Sequence, residues 1–85
     1  MTRAVVTDSL AFSNGDSAIF MTVEHGEFTR GQRVRVSRDA SLLGESVIRF
    51  GFAGAGANTE GSRSPHAMIK GIVCVRGDVI EGMEG

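Results

Sequence analysis

Gln32-Arg33-Val34-Arg35-Val36-Ser37-Arg38 holds the cleanest polar–apolar alternation of the chain, from Arg33 to Ser37. A period of two belongs to an extended strand, in which successive side chains point to opposite faces. Val34 and Val36 are therefore expected against a core, and Arg33 and Arg35 in water. Toward the N-terminus, Gly31 and His25-Gly26 mark breaks. Before them, Ser17-Ala18-Ile19-Phe20-Met21-Thr22-Val23 is rich in β-formers and apolar on both faces, as a central strand is. Asn14-Gly15-Asp16 precedes that run, and Asn-Gly is the strongest two-residue hairpin signal because both residues tolerate positive φ. The first arm of the hairpin is Ala4-Val5-Val6 with Leu10 and Phe12.

Toward the C-terminus, residues 39–45 are polar around Leu42-Leu43 and read as a loop or one helical turn. Ser46-Val47-Ile48-Arg49-Phe50-Gly51-Phe52 alternates again, with Ile48, Phe50 and Phe52 expected inward. Residues 53–65 are small and polar and read as a mobile loop. Ala67-Met68-Ile69-Lys70-Gly71-Ile72-Val73-Cys74-Val75 resumes the strand pattern, and Arg76-Gly77-Asp78 turns the chain into Val79-Ile80. Short strands cut by glycine, with no helical period, predict an all-β fold: a small, six-stranded, closed antiparallel barrel of Greek-key type. Closure also removes the exposed edges that so small a sheet would present.

The composition fits one such domain spanning residues 1–85. The chain is 41% hydrophobic and 22% charged, a globular rather than a disordered profile. Nine basic and ten acidic residues give a formal charge of −1, so bulk electrostatics favours neither nucleic acid nor an acidic membrane. Asp8 interrupts the apolar start too early for a signal peptide. No window approaches the roughly 18 apolar residues of a membrane span. Cys74 is the single cysteine, which excludes an intramolecular disulfide. A cytoplasmic protein is expected. A chain of this size buries only about 60% of its unfolded surface, so self-association is expected as well.

Two glycine patterns say more than composition. The first runs Phe20-Met21-Thr22-Val23-Glu24-His25-Gly26-Glu27-Phe28-Thr29-Arg30-Gly31-Gln32-Arg33-Val34, and the second Ile69-Lys70-Gly71-Ile72-Val73-Cys74-Val75-Arg76-Gly77-Asp78-Val79-Ile80. Together, in this order, they resemble the β-barrel second domain of the translation GTPases, the elongation factor Tu domain 2-like barrels. The likeness runs from about Leu10 to Gly82. In that family a strand-Gly-x-apolar-x-x-Gly turn opens the barrel and an apolar-x-x-Gly-Asp-x-apolar turn closes it. The resemblance implies the same barrel, with Phe28 plugging one end. It also implies a module that packs on protein or contacts ribosomal RNA. Gly26, Gly31 and Gly77 agree with it on physical grounds, since tight turns between strands need positive φ. No counterpart of the family's GTP-binding domain accompanies the barrel, so nucleotide hydrolysis is not expected.

Motifs for chemistry are weak. The phosphate loop needs Gly-Lys-Ser/Thr, and Lys70, the only lysine, lies between Ile69 and Gly71. Gly51, Gly54 and Gly56 do not match Gly-x-Gly-x-x-Gly and read as loop. His25, His66 and Cys74 lack the close spacing of zinc ligands, so no metal or other cofactor is expected; both histidines read as solvent-facing and Cys74 as a small core residue. No Gly-x-Ser-x-Gly elbow frames a serine. The tripeptide Arg76-Gly77-Asp78 reads as a turn rather than an adhesion motif. No catalytic set assembles, and an enzyme is not expected.

The remaining candidates are Arg30, Arg33, Arg35 and Arg38, with Arg49 on a neighbouring strand. Their guanidinium forks suit phosphates. The plainer reading is a solvated strand face that resists aggregation, and no aromatic residue interleaves the arginines to stack bases. Two functions follow. One is a non-catalytic module that binds a protein partner or a second copy of itself. The other is an RNA- or ribosome-binding accessory that uses the arginine face.

Overall fold

The computed structural model describes residues 2–50, 58–59 and 63–83, with the backbone alone at Phe50, 58–59 and 63–66. Every regular element among them is a strand: β1 (Arg3–Ala11), β2 (Ser17–His25), β3 (Glu27–Phe28), β4 (Arg33–Arg38), β5 (Ser41–Phe50), β6 (Asn58–Thr59), β7 (Arg63–Ile69) and β8 (Val79–Gly82). Six close into a barrel in the order β1-β2-β7-β5-β4-β8, and all neighbours are antiparallel. The consecutive barrel strands β4, β5 and β7 form a meander, and β8 returns beside β4; that is Greek-key order. The short β3 and β6 pair separately as a ribbon. No helix among the described residues is long and apolar enough to cross a membrane.

Period-two patterning accounts for the core. Val34 and Val36 of β4 are fully buried while Arg33 and Arg35 are exposed, as the alternation predicts. Ala4 and Val6 face inward from β1, Ile19, Met21 and Val23 from β2, Ile48 from β5, Ala67 and Ile69 from β7, and Ile80 from β8. Each large aliphatic so buried stabilises the fold by about 1.5–3 kcal/mol. Phe28 enters the same cluster from β3 and is fully buried, the placement expected of a plug. Register slips between Val6 and Asp8 and between Val36 and Ser37 are bulges of the kind that bend strands around a barrel. Gly26, Gly31 and Gly77 adopt φ of 72°, 84° and 93°, the conformation expected of them.

Four boundaries differ from the sequence reading. Within the run read as a mobile loop at 53–65, β6 spans Asn58–Thr59 and β7 already begins at Arg63. Residues 39–45 are neither a loop nor a helical turn. Asp39 and Ala40 alone make the turn, at φ 51° and 65°, and β5 begins at Ser41. Two successive residues in this conformation match the twist of a tight hairpin, and alanine at one of them hides the signal. The run at 67–75 is not one strand. β7 stops at Ile69, and residues 70–78 form a strap to β8. Ile72 to Val75 look like a strand in sequence, but the Ile72 and Val73 carbonyls and the Cys74 and Val75 N–H groups bond to side chains. At Asn14-Gly15 the hairpin is present with a three-residue connection. The Phe12 N–H donates to the Asp16 carbonyl at 2.9 Å, the Gly15 N–H donates to the Phe12 carbonyl at 3.1 Å, and only Gly15 takes positive φ. The expectations for Gly51, Phe52, Gly54, Gly56, most of the 53–65 loop and the side chains of Phe50 and His66 lie outside the described residues.

Candidate functional site

The strap gathers several chain segments at one end of the barrel. Ser17, at the buried start of β2, donates its hydroxyl hydrogen to the Ile72 carbonyl (2.7 Å) and accepts the Cys74 N–H (3.1 Å). The Gly71 N–H donates to Asp16 Oδ1 at 2.7 Å. The Gly77 N–H donates to the Val6 carbonyl, and the Val6 N–H to the Asp78 carbonyl. Asp78, only 1% exposed, closes the far end. It accepts Arg38 Nε on Oδ1 and Arg38 Nη2 on Oδ2, both at 2.9 Å, and the Val75 N–H on Oδ2, also at 2.9 Å. Arg38 Nη2 also donates to the Val73 carbonyl at 3.2 Å. Burial pushes the Asp78 carboxyl up, but the Arg38 fork, the Val75 N–H and the arginine's charge outweigh it and hold its pKa below the ordinary value. In return, Asp78 raises the pKa of Arg38.

This end also carries the exposed large hydrophobics of the described residues. Leu10 (63% exposed) and Phe12 lie on the β1–β2 hairpin, Leu42 (58%) and Leu43 beside the β4–β5 turn, and Val73 and Val75 on the strap. Hydrogen bonds from the strap to Asp16, Ser17 and Arg38 tie the three segments together. Single exposed apolar residues are ordinary, whereas these six fall in three segments that the strap's hydrogen bonds link. The sequence reading placed Leu10, Phe12, Val73 and Val75 in strands and Leu42 and Leu43 in a loop or helical turn, and did not single them out as a group. The missing information was topological, because only the strap's path brings its valines between the two hairpins.

The five candidate arginines divide three ways. Arg33 and Arg35 project from the outer face of β4. Arg33 Nη2 pairs with Glu45 Oε1 at 3.1 Å, and Arg35 lies opposite Glu45 on one side and Glu81 on the other. Arg3 follows Glu81 in register and pairs with Glu24 at 2.8 Å, so this face alternates in charge instead of presenting a positive field. Arg38 is committed to Asp78 and Val73. Parity exposes that role in sequence: Val34 and Val36 point inward, Arg38 shares their phase, and an inward arginine requires an acid. Arg30 and Arg49 come together instead, lining one open hollow of about 450 Å³ with Gly31 and Val47.

His25 is exposed, as expected. Cys74 is a buried free thiol. Among the described residues no three His, Cys, Asp or Glu side chains are grouped to hold a metal ion. Asp78, the acid of Arg76-Gly77-Asp78, is withdrawn from the surface, which suits a turn. The chain matches no protein-family model and no curated protein.

Proposed function

We propose that this chain is a non-catalytic, cytoplasmic interaction module, comparable in role to the second-domain barrels of translation GTPases, that docks a protein surface on the strap end of its barrel. The observation that carries this reading is that Leu10, Phe12, Leu42, Leu43, Val73 and Val75 are exposed on two hairpins and the strap that is bonded to both. A buried apolar centre is what distinguishes the core of a protein interface from ordinary surface. The occupant is another protein or a second copy of the chain. Light scattering after size exclusion, over a concentration series, tests the second. Affinity capture of a defined partner tests the first. Exchanging Leu42 and Val73 for serine abolishes the association while Arg33→Glu leaves it intact. A monomer at every concentration that captures no partner through this end sinks the reading.

RNA contact through the arginine face is the second reading, and Arg30 and Arg49 favour it because, among the described residues, no carboxylate lines their shared hollow. Binding of this kind weakens with salt in proportion to the phosphates neutralised. Substituting both Arg33 and Arg35 by glutamate removes it if the whole face is used, whereas salt-independent binding speaks against it.

A further inference from the structure

We propose that the hollow between Arg30 and Arg49 is a binding site for a phosphate group. Arg30 is the second residue of a four-residue turn in which the Gln32 N–H donates to the Thr29 carbonyl at 3.1 Å and Gly31 sits at φ 84°. That turn is stitched to β5 in both directions: the Gly31 N–H donates to the Ile48 carbonyl and the Ile48 N–H to the Gln32 carbonyl, each at 2.9 Å. Ile48 is fully buried, and its neighbour Arg49 is exposed beside the turn. Two guanidinium-bearing residues from separate elements are thus fixed around one opening by backbone bonds, an arrangement that lowers the ordering cost of gripping a ligand.

The hollow, about 450 Å³, falls within the range of small-ligand sites, about 300–1,000 Å³. Gly31, which also lines it, adds no side chain to crowd it, and a Cβ there would meet nothing within 4 Å. Among the described residues no carboxylate lines it; Glu45, on the same strand as Arg49, is bonded to Arg33. An oxyanion seated in the hollow that both arginines line accepts charge-assisted N–H bonds from the two guanidinium groups. Arg33 and Arg38 are ion-paired with Glu45 and Asp78, and Arg35 lies opposite Glu45 and Glu81 in register, so none of the three is assigned to the hollow. The proposal deepens the RNA reading yet is separable from it, since free phosphate and an RNA backbone offer the same group.

The test is a titration of the isotope-labelled full chain with inorganic phosphate at constant ionic strength, following the arginine side-chain N–H signals and the Gly31 amide by NMR. Saturable shifts confined to Arg30, Gly31 and Arg49 are expected. Arg30→Gln or Arg49→Gln weakens them roughly tenfold or more, the loss of a hydrogen bond to a charged group, and Arg76→Gln leaves them unchanged. A single-stranded RNA that displaces phosphate identifies the backbone as the source. Phosphate binding without RNA binding supports the hollow and rejects the RNA reading. Shifts that do not saturate, that spread evenly over the arginines, or that survive both hollow substitutions overturn the proposal.

Discussion

Asp78 is 1% exposed yet ionised, and three donated hydrogen bonds hold its carboxylate in that state. Because its pKa is lowered on folding, the stability it contributes is complete above the unfolded carboxylate value of about 3.9 and fades as pH falls through the folded one. Asp78→Asn keeps the shape but gives up the charge and part of the fork, at an expected cost of about 1–3 kcal/mol at neutral pH. The same substitution flattens the acid limb of a plot of urea midpoint against pH. If the variant keeps the acid dependence of the parent, the clasp is not its source. Cys74 sits next to this network and behaves in the opposite way: burial pushes its thiol up to about 11. Thiolate is the reactive form, so alkylation of the native chain at mildly alkaline pH is expected to be slow and to accelerate with urea in step with unfolding. Rapid labelling in the absence of urea contradicts that burial.

At the scale of elements, the β4–β5 hairpin carries a local strain that the sequence does not advertise. Ala40 has φ 65°, where its Cβ crowds the backbone. Ala40→Gly is therefore expected to stabilise the protein by about 1 kcal/mol, the strain removed less the added freedom of the unfolded chain. A urea midpoint that does not rise refutes this account of the turn. The hairpin also shows what sequence conveys and what it withholds. Val34, Val36 and Ile48 declare their inward face by parity alone, and the barrel's closure follows from counting such strands. The turn at Asp39-Ala40 was hidden because alanine is not a residue expected at positive φ. The strap was hidden because Ile72-Val73-Cys74-Val75 has strand composition, whereas its fate depends on Ser17, Arg38 and Asp78, partners far away in sequence. The site was legible in the same partial way. All five arginines could be named from strand phase and composition, but which face a carboxylate depends on register across β4, β5 and β8.

For the molecule as a whole, closure rests on its shortest barrel strand. β8 is four residues long and pairs with β1 through Arg3, Ala4 and Val5, and with β4 through residues 34–37. Without it the sheet has two free edges, the condition under which small sheets aggregate. Ile80 anchors this strand, fully buried between Ala4 and Val36 in register. Ile80→Ala removes packing worth about 2–5 kcal/mol, against a total stability of roughly 4–13 kcal/mol for a chain of this length. Hydrogen exchange of wild type and variant tests whether that loss is felt locally or globally. If β8 is the seam of the barrel, the amides of β1 and β4 that bond to it lose protection first and most in Ile80→Ala, while those of the β2–β7 pairing fall only to the new global limit. Uniform loss across all six barrel strands means instead that the barrel opens as one cooperative unit, with no weaker seam at β8.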